Sequence, residues 1–224
     1  MNDWIELIMV MTVLTSLAIL ASSRLRVCIR MVAIQGCLLG ILPLIMDSEG
    51  VTLQTGIMAV AILAIKGLLF PRMITRVLHA THVRREVEPY IGFTASVLIG
   101  LLALVAAFWL GSRLPLPAEL ASSRIVGMAI FHILVGLVMI ASRRKALTQV
   151  LGYLLMENGI YAFGVAVARD QPFLVEMGVL LDVFVAVFVM GIAVMGIQRE
   201  FDHIDIDRLS ALHESSSSEG EPSA

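Results

Sequence analysis

Seven runs of about twenty largely apolar residues follow one another along this chain, at 4–21, 27–46, 52–70, 90–110, 124–141, 147–168 and 173–197. At about 1.5 Å of rise per helical residue, each run matches the roughly 30 Å hydrocarbon thickness of a bilayer. Lipid offers no water to the backbone N–H and C=O groups, so a spanning segment must satisfy them within itself or within a closed barrel. Barrel strands are alternating segments of about ten residues. These runs are longer, do not alternate, and are bounded by charge. The expected fold is an all-α integral membrane protein with about seven transmembrane helices. A hydrophobic fraction of 58% agrees with this, and a net charge of -2 argues against a nucleic-acid partner. The mean hydropathy is +0.92.

The segments between the runs alternate in charge. One set holds Arg24, Arg26, Arg30, Arg72, Arg76, Arg84, Arg85, Arg143, Arg144, Lys145, Arg199 and Arg208; the other holds Arg113, Arg124 and Arg169 beside Asp3, Glu6, Asp47, Glu49, Glu119 and Asp170. Twelve cations against three place the N-terminus outside and the C-terminus in the cytoplasm, by the positive-inside rule. An odd number of spans agrees. Acid rather than base precedes the first run, which is therefore expected to be a retained helix and not a cleaved signal. Trp4 suits an interface.

Three regions follow from these boundaries: a four-helix region at 1–110, a three-helix region at 111–198 and a cytoplasmic tail at 199–224. Within the first region, the spacing of Ile74, Val77 and Leu78 in the cytoplasmic link 71–89 predicts a helix emerging into the interface. Pro115 and Pro117 mark an external loop between the first two regions. The tail from about 214 reads as disordered, while Ile204, Ile206, Leu209 and Leu212 make 201–213 a contact segment. Cys28 and Cys37 form neither a CxxC nor a metal-type spacing and read as buried thiols.

Ionisable residues inside the apolar runs carry the functional signal. A charge at the centre of a spanning helix costs roughly 2.5–3.5 kcal/mol on insertion scales. Such residues face a protein interior or a wet cavity and mark ion or proton paths. Glu157 lies near the middle of the sixth run and Asp182 near the middle of the seventh. Tyr153, Glu157 and Tyr161 recur at i, i+4 and i+8 and so form one polar stripe. Glu176 stands six residues before Asp182, about 240° away around the helix. It reads either as an interfacial acid or as an accessory site, and Asp182 either as a relay group or as a structural hydrogen-bonding group. Lys66 reads either as a snorkelling side chain or as a buried base paired with a carboxylate. Gln35 and His132 are weaker polar candidates at depth. A haem between helices usually needs two deep histidines, and His132 is the only one in the runs. With no cysteine cluster, dinucleotide fingerprint or P-loop either, no cofactor is expected. Proton exchange between Glu157 and Asp182 along a hydrated lateral path is the expected chemistry, since burial disfavours the carboxylate and a nearby ammonium restores it.

The run ASRRKALTQVLGYLLMENGIYAFG (141–164), the run PFLVEMGVLLDVFVAVFVMGI (172–192) and the IDIDRLSAL tail together resemble the K-type subunit of bacterial complex I. That family has three membrane helices, a basic loop before the second, and one buried acid in each of the last two. Glu157 falls on the second-helix acid, and Asp182 on the third, where it is one methylene shorter than the family's glutamate. Over nearly the full length, LMENG, LVEMGVLLD and AIKGLLFPRMI (64–74) make the chain similar to component E of hydrogenase 4. The roles of Glu176 and Lys66 rest on that second resemblance.

The resemblance implies an accessory, non-catalytic subunit in the bacterial inner membrane. It would belong to a formate hydrogenlyase or related membrane arm, beside antiporter-like subunits and indirectly a peripheral [NiFe]-hydrogenase module. A subunit of a multi-subunit cation/proton antiporter and a purely structural membrane spacer are the competing readings.

Overall fold

The computed structural model describes residues 3–46, 53–80, 89–114, 123–167 and 191. Every regular element among them is helical: α1 (Asp3–Ala21), α2 (Leu25–Met46), α3 (Leu53–Ala64), a π turn (Ile65–Leu69), α4 (Phe70–Ala80), α5 (Phe93–Arg113), α6 (Ser123–Ser142) and α7 (Ala146–Val167). Of these, α1, α2, α5, α6 and α7 are each long and apolar enough to cross a bilayer. Their ends fall within three residues of the expected boundaries. The seventh run, with Glu176 and Asp182, and the C-terminal tail lie outside the described residues.

The third run departs from the simple expectation. Its α-helix stops at Ala64, passes through five π-helical residues and resumes as α4 without leaving the helical path. Pro71 supplies the reason. It has no N–H for the carbonyl four residues earlier, so an unbroken α-ladder cannot run through this point. The wider turn closes instead with Phe70 N–H donating to the Ile65 carbonyl. The link that begins at Pro71 is helical as far as Ala80, as its spacing predicts. Ile74, Val77 and Leu78 are buried among core residues of α2 and α7, however, rather than laid on a membrane surface.

Two cores run through the bundle. One joins α1, α2, α4, α5, α6 and α7, with Leu25, Phe70, Ala107, Phe131 and Leu151 among its members. The other, toward the N-terminal end, joins α1, α2, α3, α6 and α7 through residues such as Met9, Leu39, Ile62, Met128 and Ala162. Helix α6 is central and packs on α1, α5 and α7. Where hydrophobic burial does not drive helices together, small residues allow backbones to approach. Gly136, Gly152 and Gly159 fill that role between α6 and α7. A Cβ at Gly159 would lie 2.7 Å from the Ala129 carbonyl oxygen, and one at Gly136 would lie 2.6 Å from the Met156 nitrogen.

The short connection between α6 and α7 contains a cation that charge counting assigns to a solvated loop. Arg143 is 1% exposed. It donates from Nη2 to the Leu20 carbonyl at 2.8 Å. Its guanidinium lies 4.5 Å from the Phe93 ring centre. Leu20 belongs to the last turn of α1, whose carbonyls have no intrahelical partner and carry the negative end of the dipole. Arg143 therefore ties α1, α5 and the α6–α7 turn together at one end of the bundle. Arg143→Leu is expected to destabilise the fold by about 1.5–3 kcal/mol, the range for a charge-assisted hydrogen bond, in unfolding measured in detergent.

Charge separates along the bundle. Arg24, Arg26, Arg72, Arg76, Arg143, Arg144 and Lys145 lie at the end where α1 stops and α2 starts. Among the described residues, Asp3, Glu6, Arg113 and Arg124 lie at the other end.

Candidate functional site

Lys66 is carried on the π turn and Glu157 on α7, eleven residues after Ala146 and ten before Val167. Although 91 positions apart in sequence, they meet: Lys66 Nζ donates to Glu157 Oε1 at 2.5 Å. The same ammonium donates to Asn158 Oδ1 at 3.0 Å and stands 5.1 Å from the centre of the Tyr161 ring. Lys66 is 5% exposed, and Glu157 and Asn158 are each 1% exposed. Lys66 does not snorkel. Its ammonium is directed into the bundle, toward a carboxylate, an amide oxygen and an aromatic face.

Local sequence explains this aim. Gly36 on α2 lies against the Lys66 stem, where a Cβ would come within 2.7 Å of Lys66 Cβ. At the next position, Gly67 accommodates Cys37, whose Sγ would be 2.7 Å from an added Cβ. Gly36–Cys37 and Lys66–Gly67 thus form a close crossing between α2 and the π turn. The π turn inserts one residue, and each residue is worth about 100° of rotation. The direction of Lys66 is therefore a property of the turn and not of α3 alone.

Beside the pair lies a cavity of about 10 Å³, bounded by Ile29 and Val32 of α2, Phe70 and Ile74 of α4, and Leu151 and Leu154 of α7. That is close to the minimum volume that holds one water. Glu157 Oε2 and Asn158 Nδ2 make no hydrogen bond among the described residues. Polar atoms and a water-sized space thus adjoin a charged pair in an otherwise apolar interior. A carboxylate and an ammonium so placed can hold a proton between them and change its position as the local field changes.

The other candidates take different places. Tyr161 flanks Lys66, whereas Tyr153, one turn before Glu157, is half-buried and packs against core residues. His132 is wholly buried on α6. Its Nδ1 is 2.8 Å from the Met128 carbonyl, and its ring meets Phe131 edge-on with centroids 5.6 Å apart. Its Cβ abuts Gly159, two residues beyond Glu157. Gln35 is not brought to the ion pair. Its Nε2 donates to the Thr12 carbonyl at 3.1 Å, Thr15 Oγ1 at 2.8 Å and Ser16 Oγ at 2.9 Å, which joins α2 to α1. Asp182 and Glu176 lie outside the described residues.

Asn158 was not singled out by sequence reasoning. The signal was available, since it neighbours Glu157 in an apolar run and adjacent helical residues differ by only about 100°. Two neighbouring side chains can therefore flank one ammonium.

These features define a multi-pass helical membrane protein with a buried ammonium–carboxylate pair at the crossing of three helical segments. A family model described as NADH-ubiquinone/plastoquinone oxidoreductase chain 4L matches residues 125–214. Over 206 residues the chain is 30% identical to an uncharacterized protein of Mycobacterium tuberculosis, covering 90% of this chain and 92% of that one. It is 35% identical over 117 residues to hydrogenase-4 component E of Escherichia coli, covering 52% of this chain and 54% of the relative. The same identity and coverage hold for hydrogenase-4 component E of Shigella flexneri. The chain thus spans about half the length of the component E proteins it matches. No solved structure matches the chain. The chain belongs to one family with the Mycobacterium tuberculosis protein, it is similar to hydrogenase-4 component E over about half of its length, and its C-terminal part is similar to the K-type subunit of complex I.

Proposed function

We propose that this chain is a non-catalytic membrane-arm subunit of a complex I-related hydrogenase or formate hydrogenlyase in the bacterial inner membrane. In this reading the basic end of the bundle faces the cytoplasm, and a seventh helix at about 173–197 completes the set of spans. Lys66 and Glu157 form one protonation site, and Asp182 on the seventh helix forms the next.

The observation that carries this reading is the Lys66–Glu157 pair itself. An isolated carboxylate in a membrane interior loses its proton only at high cost, and a bound cation lowers that cost. Here that cation is the Lys66 ammonium, held by both Glu157 and Asn158. Redox turnover in a distant module can change the local field by moving charge or by shifting a neighbouring subunit. The relatives' names support the assignment to a hydrogenase-type assembly.

The test is a pair of substitutions, Glu157→Gln and Asp182→Asn, each introduced into the native complex and scored for assembly. Redox-driven proton movement is then followed in sealed vesicles. The expected result is normal assembly with proton movement lowered by about a hundredfold or more, the lower end of the range for loss of a proton-transferring side chain. Normal translocation in both variants would mean that the acids are structural.

A further inference from the structure

On the face away from the ion pair, α1 and α5 enclose a groove with a volume of about 540 Å³ that no part of the proposed relay uses. Its walls are apolar, formed by Val10, Val13 and Leu14 on α1 and by Val105 and Phe108 on α5. Two of these residues are largely open to the outside, Leu14 at 56% and Val105 at 70% exposed. The groove has one polar end, where Arg124 Nη1 donates to Glu6 Oε1 at 2.8 Å. Both charged groups remain half-exposed or more.

The dimensions discriminate among occupants. Along α1 the lining runs from Glu6 to Leu14, eight helical steps, or about 12 Å at the helical rise. One leaflet of hydrocarbon is about 15 Å deep, half the bilayer core. The groove therefore reaches from the polar boundary to near the midplane and stops there. A neighbouring spanning helix would require a seam of twice that length. One acyl chain requires a leaflet-deep channel with a polar mouth, and the volume lies within the usual range for small-molecule sites.

Charge at the mouth narrows the choice of headgroup. Arg124 has further guanidinium donors beyond the one given to Glu6, and these suit a phosphate oxygen. Glu6 brings a carboxylate to the same place, which repels a purely anionic headgroup and attracts an ammonium. A zwitterionic headgroup meets both demands, with its phosphate on Arg124 and its ammonium on Glu6.

We infer that the α1–α5 groove is a site for an aminophospholipid, with one acyl chain between the helices and a phosphoethanolamine headgroup across the Glu6–Arg124 pair. Bound there, the lipid covers the open side of α1 and joins the two helices at the end opposite Arg143.

The full chain, purified in mild detergent, is mixed with equal amounts of phosphatidylethanolamine and phosphatidylglycerol, and retained lipid is measured by native mass spectrometry. Retention of one phosphatidylethanolamine, several-fold above phosphatidylglycerol, is expected. Leu14→Phe and Val105→Phe fill the groove from opposite walls and should each abolish retention without lowering the melting temperature. Because both positions are exposed, one of the two should fold even if the other does not. Arg124→Gln should remove the headgroup preference. Equal retention of the two lipids, or retention unchanged by the groove-filling variants, would overturn the proposal. So would cross-linking of Val105→Cys to a helix of another subunit in the assembled complex.

Discussion

Lys66→Met is expected to lower the stability of the full chain by about 3–5 kcal/mol, the cost of leaving a buried charge without its partner. The magnitude follows from burial, since both groups are almost wholly withdrawn from solvent. At an exposed site the same pair would contribute less than about 1 kcal/mol. The double variant Lys66→Met/Glu157→Met should recover most of the loss, because an apolar pair of similar volume replaces a pair that had to be desolvated. Unfolding of the wild type, both single variants and the double variant, followed in detergent by circular dichroism, closes the cycle. A single-variant loss below about 1 kcal/mol would show that the ammonium reaches water. The double variant also separates two roles. It should fold and assemble yet fail to move protons if the pair is a relay, whereas a purely structural pair would leave translocation intact.

Gly159→Leu should destabilise the α6–α7 hairpin by about 3 kcal/mol or more, at or beyond the top of the usual range for overpacking. The obstruction is backbone: an added Cβ meets the Ala129 carbonyl oxygen at 2.7 Å and the Ile133 nitrogen at 2.8 Å. Neither atom can rotate away, so the helices must separate. Because Gly159 follows Glu157 by two residues on the same helix, that separation also shifts the segment of α7 that carries the ion pair. Denaturant unfolding measures the stability loss, and the yield of assembled complex provides a second readout. Gly164→Leu is the control, because a Cβ at that glycine meets nothing within 4 Å among the described residues. Equal behaviour of the two variants would show that close packing at Gly159 is not what holds the hairpin.

The legible part of the site was its depth. Glu157 and Lys66 stood out because ionisable groups within apolar runs are costly, and both prove to be buried. Their pairing was not legible, since nothing within either run indicates which face of one helix meets another. The π turn could be suspected from Pro71, but its effect on the direction of Lys66 depends on the packing of Gly36 against the lysine stem. Arg143 shows the opposite failure. Counted among loop cations, it is buried because it sits between an α1 carbonyl and an α5 ring. Gln35 was correctly read as a polar group at depth, yet its donors are taken up by three oxygens of α1. The Tyr153–Glu157–Tyr161 stripe follows from helical period alone, but only Tyr161 lies against the lysine.

Hydropathy by itself determined where the helices are, because each helix in lipid satisfies its own backbone and needs no neighbour to do so. Five of the expected runs return as single helices with ends displaced by no more than three residues. Charge placement likewise separated the basic end from the other, since the cost of moving a cation into hydrocarbon depends on that residue alone. The tertiary structure decided everything that depends on rotation and contact: the aim of Lys66, the recruitment of Asn158, the burial of Arg143 and the groove between α1 and α5. These arise from close approaches between residues far apart in sequence. Small glycines permit them, and side-chain atoms from a second helix enforce them, so no single run contains the information.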